Sequence, residues 1–74
     1  MRIPRYQRQS LDNGIVVVGR EGRLTKPLPS VGAALSYAQA LATLVGGEYI
    51  VRWYEDDMYR VERDEHGVVN TRAA

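Results

Sequence analysis

Residues 30–64 read SVGAALSYAQALATLVGGEYIVRWYEDDMYRVERD, and the change of period within this stretch decides the fold. Val31, Ala34, Leu35, Ala38, Leu41, Ala42 and Val45 recur at the i, i+3, i+4, i+7 spacing of an amphipathic helix. Ser30 follows Pro29 and is a natural N-cap, because its hydroxyl accepts from the orphan amides of a first turn. Gly46-Gly47 ends the run with residues that adopt the left-handed conformation of helix ends. The alanines predict close approach of a sheet, and Tyr37 and Leu44 border the stripe as expected core-edge residues.

From Glu48 the period becomes two. Tyr49, Val51 and Trp53 point one way, as do Tyr59 and Val61. With Glu55-Asp56-Asp57 as a three-residue loop, Trp53 faces Tyr59 and Val51 faces Val61, so the two apolar faces coincide. A two-residue loop breaks that match. In the three-residue register Arg52 lies opposite Arg60 and Tyr54 opposite Met58.

Upstream, Ile15-Val16-Val17-Val18 is β-branched throughout and suits a strand. Four consecutive apolar positions imply that both faces are covered, or that one face meets a partner. Residues 19–22, GREG, form a turn, and Arg23-Leu24-Thr25 a short return strand. Lys26-Pro27-Leu28-Pro29 is a rigid connector, since each proline biases its predecessor to extended geometry. The expected fold class is α+β: a small three- or four-stranded, mainly antiparallel sheet with one helix packed on one face. Residues 14–64 form this single domain, residues 1–13 a flexible basic arm and residues 65–74 a flexible tail. Asn13-Gly14 offers an alternative, a hairpin that pairs Tyr6–Leu11 back onto the first strand.

The chain has 74 residues, near the lower limit for a self-sufficient apolar core. It has no cysteine and one histidine, so disulfides and the usual multi-histidine metal sites are excluded. The net charge of +1 conceals an asymmetry: residues 1–26 hold six cations against two acids, and residues 27–74 hold four against seven. Such a layout suggests a surface that meets charged partners. No stretch has the apolar length of a membrane span, and no h-region follows the basic start, so a cytoplasmic protein is expected.

Catalytic constellations are missing. Ser10, Ser30 and Ser36 have no histidine nearby in sequence, and His66 lies in the expected tail. Glu55-Asp56-Asp57 reads as a solvated turn, and GREG lacks the lysine and the strand–loop–helix context of a phosphate loop. The reading is of a non-enzymatic protein with no cofactor and no metal. Candidate partner-binding residues fall in two groups. Arg52, Tyr54, Met58 and Arg60 share the face away from the helix, a composition typical of protein interfaces. Arg2, Arg5, Tyr6 and Arg8 lie in the arm, where they suit phosphates or an acidic protein surface. Nucleic acid is therefore the alternative partner to protein.

The opening MRIPRYQRQS, the helix ending in VGG, and RWYEDDMYR together give a chain that resembles the short host-takeover proteins of lytic bacteriophages. The likeness is to small transcription regulators of the kind by which a Xanthomonas phage inhibits host RNA polymerase. It covers length and layout rather than a motif, so no residue role is carried over. The resemblance implies binding to RNA polymerase core subunits, inhibition of σ-dependent initiation, and action in the host cytoplasm.

Overall fold

The computed structural model describes residues 14–74. The elements run β1 (Ile15–Gly19), β2 (Gly22–Arg23), α1 (Val31–Leu44), β3 (Glu48–Trp53), β4 (Asp56–Arg63) and β5 (Val69–Ala73). All five strands join one antiparallel sheet in the order β2-β1-β3-β4-β5, with α1 across one face. The α+β class agrees with the sequence, but the sheet has five strands rather than three or four.

The fifth strand is a correction. Residues 65–74 were expected to be a tail, yet Val69–Ala73 pairs with β4 from Arg63↔Val69 to Tyr59↔Ala73. Asp64 organises the turn that makes this possible. Its Oδ1 accepts from the His66 and Val68 backbone N–H groups at 2.8 and 2.9 Å, and its backbone N–H donates to the Val68 carbonyl. Gly67 takes the positive φ of 82° that the turn requires. The expected arm, residues 1–13, and its hairpin alternative lie outside the described residues.

The helix forms where capping and period predict. Ser30 is the N-cap, and its Oγ accepts from the Ala33 N–H at 3.1 Å. Ala34, Ala38 and Ala42 are fully buried and let the helix sit close upon Val17, Val51 and Val61, which are also fully buried. Burying a valine side chain stabilises by roughly 1.5–3 kcal/mol, so these three carry much of a small core. The stripe ends one turn early: Val45 is 69% exposed, and Leu44 and Tyr37, expected at the core edge, are 81% and 43% exposed. For Leu44 and Val45 the physical reason is that the helix stops at Leu44 and the two positive-φ glycines turn the chain into β3; Tyr37, in mid-helix, lies to one side of the buried Ala34–Ala38–Ala42 line.

The β3–β4 register also departs from expectation. Val51 faces Tyr59 and Tyr49 faces Val61, so the apolar sides coincide as predicted but through different partners. The loop has two residues, Tyr54 and Glu55, and Trp53 pairs with Asp56. A bulge beyond Val51 restores the alternation: Arg52 pairs with Asp57, and Met58 is the extra residue. Arg52 therefore does not oppose Arg60, and Tyr54 does not oppose Met58.

Candidate interaction face of the sheet

Antiparallel partners project to the same side of a sheet. The Ile15-Val16-Val17-Val18 run is thereby split, with Ile15 and Val17 in the core cluster under α1 and Val16 and Val18 on the opposite face. On that opposite face one row crosses all five strands: Arg23, Val18, Ile50, Arg60 and Arg72. The next row carries Val16, Arg52 and Asp57, and the row on the other side Glu48, Glu62 and Asn70. An aliphatic centre, with Val16 already buried and Val18 and Ile50 half-buried, is thus bordered by arginines. Among the described residues no helix or strand packs over it.

Most of the bordering charge is paired. The Arg52 Nε donates to Asp57 Oδ1 at 2.6 Å, the Arg60 Nε lies 3.8 Å from Glu48 Oε1, and Arg72 pairs with Glu62. All these groups are partly or well exposed, so each pair contributes modestly, with a median of about 0–1 kcal/mol. Arg20, Arg23 and Lys26 have no ion-pair partner among the described residues. Two hollows open to solvent flank Val18. One of about 520 Å³ lies towards Arg20, Gly47, Glu48 and Ile50, and one of about 360 Å³ towards Val16, Arg23, Pro27, Arg52 and Tyr54.

Tyr54 marks the end of the face. It holds a positive φ of 53° as the first of the two loop residues, a conformation that costs an L-residue with a Cβ roughly 1–2 kcal/mol. Its N–H donates to the Gly14 carbonyl at 3.3 Å. Its ring lies so close to Gly14 that a Cβ there would meet the Tyr54 Cζ at 2.7 Å. It also stands edge-on to Trp53, at a 5.4 Å centroid separation. Packing thus fixes an exposed aromatic in a strained turn. The Trp53 indole N–H is enclosed without an acceptor among the described residues.

Of the residues singled out from sequence, Arg52 and Arg60 lie on the side away from the helix, Met58 is the unpaired bulge residue, and Tyr54 is in the loop beyond them. Arg2, Arg5, Tyr6 and Arg8 lie outside the described residues. Val18, Arg23, Ile50 and Arg72 were not singled out. The β-branched run carried the one available signal, since its second apolar face needed an occupant.

Ser30 is occupied as a helix cap, and His66 is an exposed turn residue 3.5 Å from Glu65. Among the described residues no three histidines or acids cluster to hold a metal, and no helix is long and apolar enough to cross a membrane. Comparison with known proteins gives no match to a family model, a curated protein or a solved structure.

Proposed function

We propose that this chain is a non-enzymatic binding module whose contact surface is the sheet face opposite α1. The observation that carries the reading is the cross-strand row Arg23–Val18–Ile50–Arg60–Arg72. An apolar centre with arginines at its border is the composition of protein interfaces. Its mixed charge favours protein over nucleic acid, because Asp57, Glu48 and Glu62 already neutralise three of its arginines. A phosphate backbone gains most from unpaired cations and exposed aromatics; at this face Arg23 and Tyr54 are such groups, but Trp53, Tyr49 and Tyr59 pack on the helix side.

The partner we put forward is bacterial RNA polymerase core, the one implied by the resemblance to phage regulators. Occupying a surface that σ needs would disfavour the promoter-competent enzyme. The test is promoter-dependent transcription in vitro with the native chain and with Ile50→Asp and Arg60→Glu variants whose folding is checked by circular dichroism. The native chain is expected to inhibit, and each variant to lose at least tenfold in potency. Absence of inhibition and of binding to core polymerase sinks the polymerase reading. Inhibition undiminished by both substitutions moves the contact away from this face. Tight, steeply salt-dependent binding to short DNA or RNA would instead establish the nucleic-acid reading.

A further inference from the structure

Charge is distributed unevenly over the sheet face. The described residues include seven Arg and Lys side chains. Arg52, Arg60 and Arg72 are held in ion pairs, and the Arg63 Nη1 donates to the Thr43 carbonyl at the end of α1. The three left over, Arg20, Arg23 and Lys26, fall together around β2 at the edge of the sheet. All three are exposed, and Glu21 between them forms an ion pair with none. Each also borders one of the two hollows beside Val18: Arg20 lines the first, Arg23 lines the second, and Lys26 precedes Pro27 in the wall of the second. The lining of that second hollow includes Arg23 and Arg52 and no acid, with Val16, Val18 and Pro27 as its apolar part.

We propose that the β2 end of this face takes an acidic segment of a protein partner, which sets an apolar side chain into the second hollow and carboxylates against Arg23, Lys26 and Arg20. The proposal rests on the reading of the sheet face as the contact surface, and adds to it the sign of the partner's charge. On β3, β4 and β5 the chain neutralises its own arginines with Asp57, Glu48 and Glu62. β1 and β2 carry no acid, so the positive field at their edge stays uncompensated. A partner that brings like charge there is penalised, and one that brings carboxylates is steered in. Guanidinium groups suit this role, because they are weakly hydrated and match a carboxylate in bidentate geometry. A phosphate backbone is also negative, but it has no apolar group to set between Val16, Val18 and Pro27. Tyr54 is the one aromatic in the lining on which a base could stack.

The test uses the full chain, isotope-labelled, and an acetylated and amidated Asp-Leu-Asp-Asp-Leu-Asp peptide titrated to about 2 mM, with backbone amide resonances as the readout. Exposed ion pairs are individually weak, so a dissociation constant of about 0.1–1 mM is expected. The largest shifts should fall at Val18, Gly22, Arg23 and Tyr54, and binding should weaken at least threefold between about 0.05 and 0.5 M salt. Arg23→Gln should weaken it at least threefold, and Arg20→Gln, Arg23→Gln and Lys26→Gln combined at least tenfold. His66→Glu, in the β4–β5 turn, lowers the net charge as much as Arg23→Gln does and should leave binding within twofold. The substituted side chains are all exposed, and unmoved Ala34, Ala38 and Ala42 resonances will show that the core is intact. No binding by about 2 mM, shifts centred elsewhere, or equal binding of the peptide with Lys in place of Asp overturns the proposal. Tighter binding of a short oligothymidylate at the same resonances overturns it in favour of nucleic acid. These readouts need no polymerase, whereas the sheet-face reading fails separately, when Ile50→Asp leaves polymerase binding undiminished.

Discussion

Val51→Ala probes whether the alanine-lined helix and the valine-rich sheet form the core described above. Val51 is fully buried, between Val17 on β1 and Tyr59 on β4, in the cluster that includes Ala34, Ala38 and Ala42. The substitution removes two methyl groups, worth about 1.6 kcal/mol at roughly 0.8 kcal/mol per buried carbon. An unrelaxed void of about 50 Å³ adds about 1.2 kcal/mol at roughly 24 cal/mol per Å³. Relaxation is limited here, because the facing alanines have no side-chain torsion with which to refill the space. The expected loss is therefore about 3 kcal/mol, against a total stability on the order of 4–11 kcal/mol for a chain of this size. In urea, with a slope near 1 kcal/mol per molar, the midpoint should fall by about 2–3 M. Val68→Ala is the control: Val68 is 53% exposed in the β4–β5 turn, and its loss should stay within about 0.5 kcal/mol. A Val51→Ala loss below about 1 kcal/mol, or one equal to the control, would refute the close helix–sheet packing.

Three further outcomes follow from local geometry. Ser30→Ala removes the acceptor of the Ala33 N–H and should cost about 1 kcal/mol in chemical denaturation, with Ser30→Asp largely preserving stability. Trp53→Phe removes an enclosed indole N–H that has no acceptor among the described residues, offsetting part of the lost apolar area; it should cost clearly less than Trp53→Ala, for which about 3–5 kcal/mol is expected. Asp64 is held below its ordinary carboxylate range, chiefly by the Val68 N–H; desolvation opposes this, and the His66 N–H and the Asn70 amide lower it further. Because the folded value is depressed, the turn's extra stability is present above the unfolded pKa of about 3.9 and is lost as pH falls through the folded value. The Val68 and His66 amide proton shifts should titrate together below that pH, and Asp64→Ala should abolish the titration.

The parts of the fold that were legible in the sequence are those coded within one element. Ser30, the alanine spacing and Gly46-Gly47 specify α1 without reference to anything distant, and the alternation Tyr49, Val51, Trp53 specifies which side of β3 meets the helix. What was not legible depends on pairing between elements. The bulge at Met58 has no local signature: a three-residue loop without a bulge and a two-residue loop with one both bring Tyr59 and Val61 to the core side, so the apolar pattern does not choose between them. The edge strand β5 escaped because four of its five residues face solvent, which leaves Val69 as its one half-buried apolar position and no period to read. The candidate face was hidden for a stronger reason. Its row joins Arg23, Val18, Ile50, Arg60 and Arg72 across four separate registers, and a one-residue slip in any of them would turn the residues beyond it to the other side. The β3–β4 slip is the instructive one. Moving from the expected pairing to the observed one keeps Tyr59 and Val61 on the core side, replaces an Arg52–Arg60 repulsion by an Arg52–Asp57 ion pair, and sets Arg60 beside Ile50 of the aliphatic centre that the β1–β3 register assembles.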